Sequence, residues 1–294
     1  RKFLIVSSKD YGHDVMSQLE RAVQHFFPGT PSDKVERSEN KKLCLKNHGG
    51  DEVTAQQSQE VQTLSIFEFP LLSLEFTMLS GDEQVEFKLL SNDVQTRASA
   101  LASFFAKYDA ILVDTCASHG FAHNNFFDLA LQLYCDRYCG GIVLMAHAAY
   151  QGHCIGTNFK YLPFIRKSVW GGGPRTLKNV VYPQHAIFNH VAHFDGGSFS
   201  GHFCGDLDHS KKNYVILAEY DNAIPFAIEM KPEKESTGTV VMLNFTSCSY
   251  AVASNSWTSD SDGHKLMYNA LMYVSHHCVM NKKLMRRYFD LLKH

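Results

Sequence analysis

The hydrophobic positions fall into short unbroken runs separated by stretches of helical spacing. "FLIVS" (3–7), "DAILVDT" (109–115) and "GIVLMAH" (141–147) carry almost no polar interruption. Strands this uniformly apolar are buried on both faces, as in a parallel sheet covered by helices. Between them, "HDVMSQLERAVQHFF" (13–27) sets Val15, Leu19, Val23, Phe26 and Phe27 near the helical period, and Pro28-Gly29 stops it. "VQTRASALASFFAKY" (94–108) and "NNFFDLALQLYCDRY" (124–138) read as two more helices. "YVILAEY" (214–220), "PFAIEM" (225–230) and "GTVVMLNF" (238–245) read as strands, and "SDGHKLMYNALMYVSHH" (261–277) as a further helix. This alternation predicts an α/β domain over 1–275 with a mainly parallel sheet and helices on both faces.

Two regions break the pattern. Residues 29–60 are polar with little periodicity, and 63–80 is apolar with partial alternation interrupted by Pro70. The second reads as an added hairpin or edge strand, so 29–83 is expected as an insertion. "VEFKLL" (85–90) resumes as a strand, and 276–294 is a basic, aromatic helical tail.

Composition narrows the partners. Of 294 residues, 45% are hydrophobic and 20% charged, enough for a full core, and the net charge is −2. That balance gives no electrostatic reason to expect nucleic acid. No apolar run approaches the roughly 20 residues of a membrane span. Eight cysteines without dense spacing read as free thiols of an intracellular, reducing compartment. "CDRYC" (135–139) has no second Cys pair at zinc-finger distance, so neither a metal nor a cofactor is expected.

In such a fold the ligand lies at the carboxyl ends of the strands. Ser7–Lys9, Asp114–Cys116 and Ala146–Tyr150 would converge there. His147 can act as a general base or a ligand, or simply hydrogen-bond the loop. Cys116, with His119 and His123 on the same loop, and Cys154, seven residues after His147, are the candidate thiols. The stretch 189–209 holds His190, His193, His202 and His209 and reads as a polar surface loop. "VWGGGPRTL" (169–177) lacks the Lys-Ser/Thr of a phosphate cradle and reads as a flexible turn. Asp195-Gly196-Gly197 reads as a tight turn, and Asp260 or Asp262 as the cap of the helix that follows. Trp257 could stack on a sugar or pack against the sheet edge.

Three segments in order carry a resemblance: "YDAILVDT" (108–115) leading through a helix to "GGIVLMAHAA" (140–149), then "HAIFNHVAHFDGGSFSG" (185–201), then 239–274, which runs from "TVVMLNF" through Trp257 to the Asp262-Gly263 helix with "NAL" (269–271). Together they resemble the class I glutamine-amidotransferase-like superfamily, nearest to its trehalose-utilisation (ThuA-like) branch. The resemblance covers about 84–275 plus the first strand and helix, and implies a flavodoxin-like fold. The chain departs from the family pattern at Cys139, where a third glycine is usual, at Ala186, where a proline follows the histidine, and at Thr246-Ser247, where Phe-Pro is common.

A glutaminase needs a cysteine at the strand-to-helix elbow, with a histidine and a carboxylate behind it. Here the elbow reads Ala146-His147-Ala148-Ala149. The expected function is therefore a catalytically inactive domain that acts as a binding or assembly module, its partner a protein. A second reading is a ThuA-like enzyme or binding protein for a sugar or small polar substrate, using His147 with Asp114, Tyr150, His185, Asp195 or Trp257. A third is a cysteine hydrolase using Cys116 or Cys154.

Overall fold

The structure, a computed structural model, describes residues 2–7, 9–26, 35–38, 63–69, 72–80, 93–114, 125–149, 155, 159–164, 170–198, 200–211, 213–231, 234, 237–258 and 260–276. The chain opens with β1 (Lys2–Ser7) and α1 (Lys9–Phe26). Three strands follow, β2 (Val35–Ser38), β3 (Thr63–Phe69) and β4 (Leu72–Ser80). Then come α2 (Val94–Phe105), β5 (Ala110–Val113), α3 (Asn125–Tyr138), β6 (Gly141–Met145) and the one-turn α4 (Ala146–Ala149). The second half holds β7 (Trp170–Gly171), β8 (Leu177–Val180), β9 (His202–Phe203), β10 (Tyr214–Tyr220), β11 (Pro225–Met230) and β12 (Val240–Leu243). Helix α5 covers 263–276.

Among the described residues, ten strands form one sheet in the order β2-β3-β4-β1-β5-β6-β12-β11-β10-β8. Its five central strands, β4, β1, β5, β6 and β12, are parallel. The strands outside them add on antiparallel. Numbered by chain order, the five run second-first-third-fourth-fifth, which is the flavodoxin-like winding. The chain leaves β1 toward one edge and returns to β5 on the other side. The crevice between β1 and β5 is thus the topological switch point.

The period of two in each strand divides the core. Leu4, Val6, Ile111, Val113, Ile142 and Leu144 face α2 and α3. Phe3, Ile5, Leu112, Val143, Met145 and Leu243 face α1 and α5. Every one of these side chains is buried, so no polar residue fits on either face. Each buried Ile or Leu contributes about 1.5–3 kcal/mol of transfer free energy. Asp93 starts α2: its Oδ2 accepts from Thr96 N at 2.7 Å and from Thr96 Oγ1 at 2.6 Å.

The approach to β6 shows why glycines gather there. Cys139 has φ 54°, in the left-handed region that glycine adopts without strain. A Cβ on Gly141 would stand 2.5 Å from Val274 O, so only glycine lets α5 lie this close to the sheet.

The segment 63–80 is indeed a hairpin, of β3 and β4, but it is not peripheral. β4 pairs in parallel with β1 over Lys2↔Glu75 to Ser7↔Ser80 and belongs to the central five. Partial alternation and Pro70 mark a hairpin; neither says which of its strands meets β1. The rest of the expected insertion apart from β2, the strand expected at 85–90 and the tail from 277 lie outside the described residues. No helix among the described residues is long and apolar enough to cross a membrane.

Candidate functional site

At the switch point the ends of β1 and β5 meet through polar groups. Asp114 N donates to Val6 O at 2.9 Å, which carries the pairing one residue past β5. Ser7 Oγ donates to Asp114 Oδ2 at 2.7 Å. Beside this pair, Asp14 and Gln18 stand one turn apart on α1 and share a face. Asp14 Oδ2 accepts from Ser249 N at 2.6 Å, and Asp14 Oδ1 accepts from Ser249 Oγ at 2.9 Å. Gln18 Nε2 donates to Asp14 Oδ1 and to Ser249 Oγ, each at 3.2 Å. Ser247, Cys248 and Ser249 arrive on the loop after β12.

Burial sets the electrostatics here. Asp114 is fully buried, and its carboxyl is pushed up to about 6. Desolvation is the main cause; the Ser247 and Ser7 hydroxyls offset part of it, and the charge of Asp14 adds to it. Ser247 Oγ lies close to the carboxyl, yet neither it nor Asp114 Oδ1 makes a hydrogen bond. The Cys248 thiol is also pushed up, by burial first, with Ser256 pulling it back and Asp114 raising it. A thiol held protonated beside two carboxyls is the reverse of an activated nucleophile.

The cluster is closed to solvent. Ser7 is 1% exposed, Asp114 and Ser247 0%, and Asp14 6%. It can hold one proton near neutral pH and clamp α1 to the loop after β12. Asp14→Ala is expected to lower unfolding free energy by about 2 kcal/mol, because it strands the Ser249 N–H and hydroxyl in a buried place. Equilibrium urea denaturation at pH 7 measures this.

The elbow lies beside the switch point, one strand further on. β6 ends at Met145, earlier than the apolar run suggests, and the chain turns at once into α4. Ala146 N donates to Phe245 O at 3.2 Å, tying this turn to the end of β12. His147 is part-exposed on α4, its ring parallel to that of Tyr11 with centroids 6.0 Å apart. α4 also packs against β9.

The remaining expected positions scatter. His185 caps the short 3-10 turn Ala186–Phe188, its Nδ1 accepting from Ile187 N at 3.4 Å. Its ring lies 4.5 Å from that of Tyr273, and its Nε2 is 3.8 Å from Glu229 Oε2. Tyr273 Oη donates to Glu229 Oε1 at 2.7 Å, so this is a separate polar knot on β11 and α5. Asp195 makes the expected turn: its Oδ1 accepts from Gly197 N at 2.9 Å. Trp257 is 1% exposed and its Nε1 donates to Thr246 O at 3.0 Å, which leaves no ring face for a sugar. Asp262 stands at the N-cap of α5, its carbonyl accepting from Leu266 N at 3.0 Å, but its carboxylate leaves the helix N–H groups alone: Oδ2 reaches back to Ala192 N at 2.6 Å and His193 N at 3.1 Å. Tyr150, Cys116 and Cys154 lie outside the described residues.

No family model, curated protein or solved structure matches this chain. Among the described residues no three His, Cys, Asp or Glu side chains come together as a metal site. Within the His-rich stretch, His190, His193 and His209 are exposed as expected, but His202 is buried at 1%. His202 opens the two-residue β9, too short for any period to show in the sequence. Asp14 and Gln18 could have been found as two polar residues one turn apart on the apolar face of α1.

Proposed function

We propose that this chain is an amidotransferase-like α/β domain without glutaminase chemistry, working as a binding or assembly module whose partner is a protein. The observation that carries the reading is the elbow. An imidazole, His147, stands where the superfamily's nucleophilic thiol would be, and a histidine there cannot form the thioester that releases ammonia from glutamine. The groups at the switch point support it, since Ser7 bonds Asp114, Asp14 bonds Ser249, and all four are closed to solvent. Tyr250 and Val252, 55% and 43% exposed, stand on the turn fixed by Asp14 and give such a module apolar surface.

Purified chain incubated with L-glutamine is expected to release no ammonia above a heat-denatured control, in a coupled glutamate dehydrogenase assay. Ammonia release that disappears in His147→Ala would overturn the reading.

The parallel Tyr11 and His147 rings favour a second reading, a site for a sugar or other small polar ligand at the elbow. A thermal-shift panel of mono- and disaccharides separates the two. A ligand at one hundred times its Kd stabilises by about 2.7 kcal/mol, whereas a module without that site shows no shift.

A further inference from the structure

The small ladder of β7 and β9 brings a thiol and an imidazole together. Gly171 pairs with His202 across it. A Cβ on Gly171 would stand 2.3 Å from Cys204 Sγ and 2.7 Å from His202 Nε2. By the sum of those distances the two atoms are no more than 5.0 Å apart, over a notch that only glycine leaves open. His202 Nδ1 lies 2.6 Å from Ser200 O. A carbonyl only accepts, so Nδ1 carries the proton and Nε2 of the neutral ring is left as the acceptor.

The surroundings keep both partners neutral. Burial lowers the pKa of His202; the Ser200 carbonyl and Asp221 oppose that, Arg175 reinforces it, and the Tyr220 ring lies 5.2 Å away. Burial raises the Cys204 thiol, and Arg175 opposes it. Among the described cysteines, Cys135, Cys139 and Cys248 are buried and Cys204 is part-exposed. Arg175 acts on both members of the pair. Its Nη1 donates to Pro174 O at 2.9 Å, while its Nε is buried with no hydrogen-bond partner.

We propose that Cys204 and His202 form a nucleophile–base pair that accepts a negatively charged electrophile at sulfur, with Arg175 attracting the anion. The Cys204 proton passes to His202 Nε2 as the sulfur–carbon bond forms, and the leaving group departs as an anion with its electron pair. This site goes beyond the binding-module reading and does not depend on it, since it uses neither His147 nor glutamine.

Iodoacetate and iodoacetamide are the probes, applied to the full chain and read at each cysteine by peptide mass spectrometry. Cys204 is expected to be alkylated before Cys135, Cys139 and Cys248. Its iodoacetate-to-iodoacetamide rate ratio is expected to exceed that of N-acetylcysteine, and to fall about fivefold in Arg175→Gln, in line with loss of one near charge. His202→Asn is expected to slow the reaction at pH 7 at least about tenfold, the low side of general-base catalysis. Because His202 is buried, the wild-type pH profile is a second measurement that needs no variant. Its rate should rise as an imidazole loses its proton below the usual histidine range, and level off before the thiol ionises. A rate that tracks thiol ionisation alone, or a probe ratio unchanged in Arg175→Gln, overturns the proposal.

Discussion

Trp257→Ala is expected to lower unfolding free energy by about 3–5 kcal/mol, the range for emptying a large aromatic site in a packed core. Trp257 is among the largest fully buried side chains. One edge of the indole bonds to Thr246 O, and its ring lies so close to Gly263 that an added Cβ would stand 3.0 Å away. Trp257 also pairs with Ser249 as an isolated parallel bridge, and its carbonyl accepts from Tyr250 N at 2.8 Å. The indole therefore holds down the loop that carries Ser247, Cys248 and Ser249. A second readout follows from that placement: Cys248, 3% exposed in the native chain, should become reactive to a thiol reagent well before global unfolding in the variant. Trp257→Phe, which keeps most of the volume and loses the hydrogen bond, should cost about 1–2 kcal/mol. A Trp257→Ala loss below about 1 kcal/mol by urea denaturation would show that the loop is held by something else.

Asp114→Asn should do the opposite and stabilise the chain above pH 6. The carboxyl of Asp114 has a folded pKa of about 6 against an unfolded value near 4. Below pH 4 it is protonated in both states and has no linkage effect. As pH rises from 4 to 6 the unfolded chain ionises while the folded chain keeps its proton, so stability is lost through this window. Above 6 the loss levels off at about 3 kcal/mol. An asparagine carries no charge; its oxygen can accept from Ser7 Oγ, and its amide can donate to Ser247 Oγ, which lacks a partner in the native chain. The variant should match the wild type near pH 4 and exceed it by about 2–3 kcal/mol at pH 7.5. Parallel unfolding curves across that range, with no divergence, would sink this account. A residue that weakens its own fold at neutral pH where a near-isostere would not is a candidate for a role other than stability.

Both predictions turn on groups whose meaning was only partly legible in the sequence. Phe3–Ser7, Ala110–Val113 and Gly141–Met145 announced themselves, because a strand covered on both faces has no polar position to lose. The antiparallel strands Tyr214–Tyr220 and Pro225–Met230 were found at their observed limits. The end of β6 was not, because Ala146 continues the apolar run and nothing local shows that the chain bends there. Leu72–Ser80 looked like an added strand, since which of two apolar strands reaches β1 is decided by tertiary pairing. Asp114 was anticipated as the group at a strand end in a doubly wound sheet. Its neighbours Asp14 and Ser249 come together only through the fold, and so do Cys204 and Gly171.

The span of those contacts has a consequence for how the protein is made. Asp14 meets Ser249 across 235 positions, and Ser7 meets Asp114 across 107. The first helix thus waits, undocked on one side, until ribosomal synthesis has delivered the loop that carries Ser249. Consolidation is slow, as for any topology built on distant pairings. Until Ser249 emerges, the apolar stripe of that helix is work for a chaperone.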